Sequence, residues 1–110
     1  MLTQGAKKTT DNMKVSVQSV NFNIDSKLVN FIEKKMEHLE KYNDQILGAE
    51  IFLKVQNTSE KENKISEFKI LIPGNDVIVK KQSKTFEEGI NLALDSLKRQ
   101  LVKRKEKQRA

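Results

Sequence analysis

The chain has 110 residues, of which 36% are hydrophobic and 33% are charged, and 21 Lys or Arg against 15 Asp or Glu give it a net charge of +6. This length predicts one domain with one modest core. The absence of cysteine excludes a disulfide framework and a thiolate metal site, and it agrees with a cytoplasmic location. No apolar run reaches the roughly 20 residues of a membrane-spanning helix, and the N-terminus lacks the apolar segment of a secretory signal.

The first twelve residues are polar and show no periodicity, whereas a second methionine, Met13, begins the first patterned segment. We therefore predict that residues 1–12 are a flexible leader or an extension added to the natural chain. A native N-terminal extension is the alternative. The single domain is predicted to span residues 13–110.

A strand followed by a helix is predicted next. Residues 14–22 alternate valine with polar residues, the period of a half-buried strand. Asp25 or Ser26 can cap a helix that runs to about Tyr42. Its apolar residues recur at helical spacing: Leu28, Phe31, Ile32, Met36 and Leu39.

Three more strands are predicted at residues 49–57, 65–72 and 77–83, because each alternates apolar with polar side chains. A polar stretch separates the first two, and the turn sequence Pro73-Gly74-Asn75-Asp76 separates the last two. Turns this short predict an antiparallel meander.

A second helix follows, and its start carries a capping box in which Thr85 is the N-cap and Glu88 lies three residues later. The apolar period continues far enough for the helix to end near residue 107. Its predicted core residues are Phe86, Ile90, Ala93, Leu94, Leu97 and Leu101. The element order β-α-β-β-β-α predicts an α+β two-layer sandwich, with a four-stranded sheet and two helices packed on one face.

The net charge lies in the last part of the chain. Residues 80–110 contain ten Lys or Arg and four Asp or Glu, whereas residues 1–79 contain eleven of each sign. A basic field on one element favours binding to a polyanion, such as RNA, DNA or an acidic membrane. The predicted RNA-binding residues are Lys34, Lys41, Tyr42, Lys80, Lys81, Lys84, Lys98, Arg99, Lys103, Arg104, Lys105, Lys107 and Arg109.

Aromatic residues are few, and among the six only Tyr42 is predicted to be exposed. Base stacking needs several exposed aromatic rings. The composition therefore favours recognition of the backbone and shape of a structured RNA, with little reading of its bases.

Catalytic chemistry is not indicated. The only histidine, His38, lies on the predicted first helix and is interpreted as a surface residue, and no cysteine is present. The acidic residues are dispersed, and neither Gly74 nor Gly89 belongs to a phosphate-binding loop. We expect no enzymatic activity, no metal site and no cofactor.

Two segments resemble a known family. The stretch from Leu97 to Lys105, LKRQLVKRK, is similar to the K-L-x-R-Q-L-x-K-x-K segment of the ribosome hibernation promoting factors, also called ribosome-associated inhibitor or sigma-54 modulation proteins. The sequence Leu39-Glu40-Lys41-Tyr42 is similar to the end of that family's first helix. The predicted element order agrees with the family across residues 13–108.

The resemblance implies a function without catalysis. Such a protein would bind the small ribosomal subunit, that is, its ribosomal RNA and neighbouring proteins, over the decoding site. It would inhibit translation by blocking mRNA and tRNA binding. It would be a short form of the family, cytoplasmic, monomeric off the ribosome, and without a membrane or small-molecule partner.

The chain also departs from the family. Thr85-Phe86-Glu87 replaces the common Asp-Met-Tyr, Ser96 stands where lysine is common, and the segment 21–26 lacks the usual basic residue. Two alternatives stay open at this point. One is a general double-stranded RNA-binding domain, and the other is a membrane-surface or protein-docking module that uses the basic C-terminal helix.

Overall fold

A computed structural model of the chain describes the backbone of residues 5–10, 13–42 and 45–109 and the side chains of residues 14–42 and 45–104. The chain forms five strands and two helices within these residues. Their bounds are β1 (Gly5–Thr10), β2 (Met13–Val20), α1 (Ser26–Glu40), β3 (Gly48–Val55), β4 (Lys64–Leu71), β5 (Val77–Ser83) and α2 (Phe86–Arg109).

The strands form one mixed sheet in the order β1-β2-β3-β4-β5. Strands β2 and β3 are parallel and are connected through α1, while β3, β4 and β5 form the predicted antiparallel meander. The predicted order β-α-β-β-β-α is therefore confirmed from residue 13 onward.

Strand β1 adds an edge to the sheet that the sequence pattern did not predict. It pairs antiparallel with β2, from Gly5 opposite Gln18 to Thr10 opposite Met13. The sequence GAKKTT has no apolar alternation, so its strand conformation depends on hydrogen bonds to β2 and not on local pattern. The assignment of residues 1–12 to a leader or an added extension stays a prediction.

The core lies between one face of the sheet and both helices. The alternating positions predicted to point inward are buried in β2 to β5, and so is the predicted apolar stripe of α2. Leu28 and Phe31 of α1 and Val55 of β3 are half-buried against this core. Each fully buried aliphatic side chain stabilises the fold by about 1.5–3 kcal/mol relative to an exposed one. The largest fully buried side chains are Phe68, Ile32, Met36, Leu39, Ile46, Ile51, Leu53, Ile70, Ile90, Leu97 and Leu101.

Both helices begin at the same end of the sheet, because β2 and β5, which precede them, run in the same direction. The Asp25 carboxylate accepts a 2.8 Å hydrogen bond from the Leu28 amide, and the Thr85 hydroxyl accepts one of 3.2 Å from the Glu88 amide. Both predicted N-caps are thus confirmed. The C-terminal halves of the helices, where most predicted RNA-binding residues lie, meet at the other end of the sheet.

Helix α2 lies unusually close to the sheet at Gly89. A Cβ atom at this position would lie 2.5 Å from the Ser83 Oγ and 2.9 Å from the Ser66 Oγ. Both serines are fully buried on the helix-covered face of β4 and β5. Glycine inside a helix costs about 1 kcal/mol of stability relative to alanine. At this position glycine lets α2 lie close to β4 and β5, because a side chain would contact the two serines.

Candidate nucleic-acid interface

A groove runs between α1 and α2 in the helix layer. Its volume is about 380 Å³. Helix α1 contributes two basic side chains, and α2 contributes polar, apolar and charged side chains. The lining residues are Lys35, His38, Asn91, Leu94, Asp95 and Lys98.

Lys98 and Tyr42 connect the two helices at the C-terminal end of this groove. The Lys98 ammonium lies 5.5 Å from the centroid of the Tyr42 ring, a cation–π contact worth about 0.5–1 kcal/mol at an exposed site. The Tyr42 side chain is 39% exposed, and the other five aromatic side chains are buried or half-buried. Two predicted site residues that are distant in sequence therefore lie side by side.

The charges of α1 are divided between its flanks. Lys34 and Lys41, seven residues apart, are exposed on the same outward face, two turns from each other. Glu33, only 9% exposed, and Glu40, half-buried, fall on the flank away from α2 by helical spacing. The outward face of α1 consequently carries Lys34 and Lys41 together with the exposed Glu37, while the groove-facing flank carries basic side chains.

The cations of α2 spread around the helix axis. Arg99 is exposed on the outside, and its Nε donates a 3.3 Å hydrogen bond to the Asp95 carbonyl. Lys103 and Arg104 lie on the flank next to β5, where the Arg104 Nη2 is 3.5 Å from the position that a Cβ would take at Gly74. Lys98, by contrast, lies on the flank next to α1. The predicted α2 residues therefore form a wide basic surface and not a single line.

The three lysines before α2 do not form one group. Lys80 is opposite Glu67 and exposed on the face of the sheet that the helices leave open, whereas Lys81 is half-buried opposite the buried Ser66 on the helix-covered face. Lys84 is exposed just before α2 begins. The structure thus separates Lys80 from the basic surface of the helices, because consecutive strand residues point to opposite faces.

The last three predicted site residues are Lys105, Lys107 and Arg109. Their backbone continues α2, and their side chains lie outside those that the structure describes. Their predicted role stays a prediction.

Of the six groove residues, only Lys98 was among the predicted site residues, and two of the others are basic residues of α1. Lys35 lies in the groove, with its ammonium 5.4 Å from the centroid of the Phe31 ring, and His38 follows one turn later. Their spacing of three residues is a signal that places them on one flank of α1. Whether that flank faces α2 depends on how α1 is rotated about its own axis on the sheet. The spacing alone does not determine this rotation.

Other kinds of site find no support in the described part of the chain. Its His, Asp and Glu residues form no cluster of three or more able to hold a metal ion. Neither described helix combines the length and apolar character needed to cross a bilayer.

Relatives of known sequence extend over most of the chain. A ribosome hibernation promoting factor of Azotobacter vinelandii is 27% identical over 96 residues, which cover 87% of this chain and 86% of that protein. The protein of the same name from Pseudomonas putida is 26% identical over 98 residues, which cover 89% of this chain and 92% of the relative.

Solved structures show the same fold. The N-terminal domain of Thermus thermophilus Protein Y aligns with a TM-score of 0.66 and 25% identity over 81% of this chain and 92% of that domain. A ribosomal subunit interface protein from Coxiella burnetii aligns with a TM-score of 0.71 over 84% of this chain and 96% of that protein, and its 22% identity bears on the fold alone.

A family model matches nearly the entire chain. The family is described as sigma 54 modulation protein / S30EA ribosomal protein, and the match covers residues 15–109. The chain belongs to this family, as the resemblance of its two segments indicated.

Proposed function

From this family membership and the basic helix layer, we propose that the protein binds the small ribosomal subunit at the decoding site. Bound there, it inhibits translation because mRNA and tRNA cannot occupy the same space. The mechanism is occupancy, so it makes and breaks no covalent bond and needs no cofactor. The name of the relatives, ribosome hibernation promoting factor, supports association with the ribosome.

One observation carries the RNA-binding part of the proposal. Among the described side chains, none of Lys98, Arg99, Lys103 and Arg104 forms an ion pair with a carboxylate. Their charge is therefore available to phosphates. Lys34 and Lys41 extend the same surface onto α1, where the exposed Glu37 lies between them.

The expected energetics are those of counterion release. Every phosphate that the surface neutralises releases a condensed cation, so the logarithm of the affinity falls linearly with the logarithm of salt concentration. Four phosphate contacts predict a loss on the order of a hundredfold between about 50 mM and 200 mM salt.

Specificity in this proposal comes from shape. Tyr42 is the one exposed aromatic side chain among the described residues, so stacking can read at most a single base. The sheet holds the two helices in a fixed relative position, and we expect their outward surface to match a groove in folded ribosomal RNA better than a regular duplex. The protein is proposed to be a cytoplasmic monomer when it is not on the ribosome.

Co-sedimentation with purified small ribosomal subunits, at low and high salt and with excess free duplex RNA as competitor, tests the proposal. We expect stoichiometric, salt-sensitive binding that the duplex does not displace, together with inhibition of mRNA and tRNA binding in a reconstituted system. Displacement by the duplex would identify a general double-stranded RNA-binding domain instead. Lack of binding would leave only the fold in common with the relatives.

A further inference from the structure

Strand β5 forms one edge of the sheet and is open to a further strand. Among the described strands, it pairs only with β4. In the described part of the chain, no loop or turn backbone group bonds to β5 from its other side. A free row of backbone N–H and C=O groups is a template for an extended peptide, which can add a strand to it.

The edge is basic on both faces of the sheet. Lys80 projects from the open face and Lys81 from the helix-covered face, and Lys84 follows where the strand ends. At the start of the strand, Lys103 and Arg104 of α2 lie beside it. This charge opposes pairing with a second copy of the chain, because the same lysines would meet across the new pair.

A cavity of about 410 Å³ adjoins the start of β5. It lies between the β4–β5 turn and the C-terminal half of α2, and its lining includes Lys103 and Arg104 of the helix and Ile78, which projects from the open face of the sheet. The Ile78 side chain is 58% exposed, although it belongs to a strand. The nearby Asp76 carboxylate lies 3.9 Å from the Lys69 ammonium, which partly neutralises it. The cavity thus suits a side chain that carries both apolar and acidic groups.

We propose that the β5 edge binds an acidic, extended peptide segment of a protein partner by strand addition. The peptide backbone pairs with the free edge of β5, two neighbouring acidic side chains of the peptide lie against Lys80 and Lys81, and a side chain nearer the start of β5 enters the cavity beside Ile78. A peptide matches this surface better than RNA does, because β5 offers a line of backbone partners and no aromatic side chain on which a base could stack.

The inference is independent of the proposed function, since peptide binding needs no ribosome. A suitable probe is a capped synthetic peptide of about ten residues, with two adjacent glutamates between alternating threonine and valine. Titration of the ¹⁵N-labelled full chain should shift the backbone amides of residues 77–83 and those of the neighbouring α2 flank. The same peptide with a central proline should bind far more weakly, because proline interrupts the added ladder.

Variants distinguish peptide binding at the β5 edge from nonspecific electrostatic attraction to the protein. Lys80→Gln with Lys81→Gln should weaken peptide binding about threefold to tenfold, as expected for two ion pairs at the protein surface. The matched control, Lys14→Gln with Lys54→Gln, removes two exposed lysines from β2 and β3 and should leave the affinity unchanged. A peptide in which glutamine replaces both glutamates should bind the unaltered chain more weakly than the glutamate peptide does. The Lys80/Lys81 variant should bind the two peptides with equal affinity.

Three results would overturn the proposal. Amide shifts outside β5 and its α2 flank would mean that the peptide binds elsewhere. Equal affinity for the proline peptide would mean that no strand is added. Displacement of the peptide from β5 by a single-stranded RNA, with the same dependence on Lys80 and Lys81, would make the edge a nucleic-acid surface.

Discussion

The helix layer and the open face of the sheet are both rich in exposed charge, but the charges are arranged differently on the two surfaces. On the open face, the Lys69 ammonium lies 3.8 Å from the Glu50 carboxylate and 3.9 Å from that of Asp76. On α2, the described cations such as Lys98 and Arg99 have no carboxylate partner. Exposed ion pairs contribute only about 0–1 kcal/mol each, so leaving the helix cations unpaired costs little stability. Other open-face cations, such as Lys54 and Lys80, also lack a carboxylate partner among the described residues. The helices differ in the concentration of their cations, which supports the proposal of an RNA-binding surface there.

Charge reversal on α2 is the most severe test of this comparison. Reversal to Glu at Lys98, Arg99, Lys103 and Arg104 should abolish co-sedimentation with small ribosomal subunits, because attraction to phosphates becomes repulsion. The circular-dichroism spectrum and melting temperature should stay close to those of the unaltered chain.

The control for that variant carries the same change of charge outside both helices, on strands β2, β3 and β4 and the β3–β4 loop. Glutamate at Lys14, Lys54, Lys61 and Lys64 should leave most subunit binding intact. Equal loss of binding in the two variants would show that only net charge matters. Binding that persists in the α2 variant with unchanged salt dependence would mean that another surface contacts the ribosome.

Removal of a buried leucine from the same helix should act on stability and not directly on binding. Leu97→Ala or Leu101→Ala should lower the free energy of unfolding by about 2–5 kcal/mol, since both side chains are fully buried. The matched control is Leu92→Ala, at a side chain that is 45% exposed, with an expected loss below about 1 kcal/mol. Urea unfolding measures both changes. Similar losses at Leu92 and Leu97 would contradict the proposed orientation of α2.

The close approach of α2 to the sheet predicts a smaller effect. Gly89→Ala should destabilise the protein by about 1–2 kcal/mol, because overpacking against Ser83 and Ser66 outweighs the better helix propensity of alanine. Adding Ser66→Ala removes a buried hydroxyl that has no hydrogen-bond partner among the described residues, and it should recover part of the loss, as measured by urea unfolding. Ser83 is left unchanged because its hydroxyl donates a 2.6 Å hydrogen bond to the Thr85 carbonyl. A more stable Gly89→Ala variant would mean that α2 lies farther from the sheet.

The contact between Lys98 and Tyr42 predicts the smallest effect. Tyr42→Leu keeps an apolar side chain but removes the aromatic face, and it should weaken subunit binding about twofold to fivefold through the lost cation–π contact and any stacked base. Tyr42→Phe, which keeps the ring, should bind nearly as well as the unaltered chain. An equal loss in both variants would implicate the hydroxyl group and not the ring.

Most of the fold could be predicted because local pattern and tertiary packing agree. The valine alternation of β2, the helical stripe from Phe86 to Leu101, and the caps Asp25 and Thr85 all act over a few residues. Strand β1 was not predictable in this way. Its six residues carry no apolar alternation, and only their pairing with β2 makes them a strand.

Only part of the candidate site could be predicted from the sequence. The chain shows that the excess charge follows Lys80, but it does not show which side of the molecule each cation faces. Lys81 and Lys80 point to opposite faces of the sheet, and the assignment of each to its face rests on the register with β4. The contact between Lys98 and Tyr42 likewise depends on the rotation of two helices that are packed on a common sheet.

The sequence by itself determined the order of elements from β2 to α2, the apolar face of each one and the concentration of positive charge toward the C-terminus. These properties depend on residue type and on spacing along the chain. Only the tertiary structure decided which strands are edges, how the helices are rotated, and therefore which cations share a surface. Those properties depend on contacts between residues far apart in the chain, which no local period encodes.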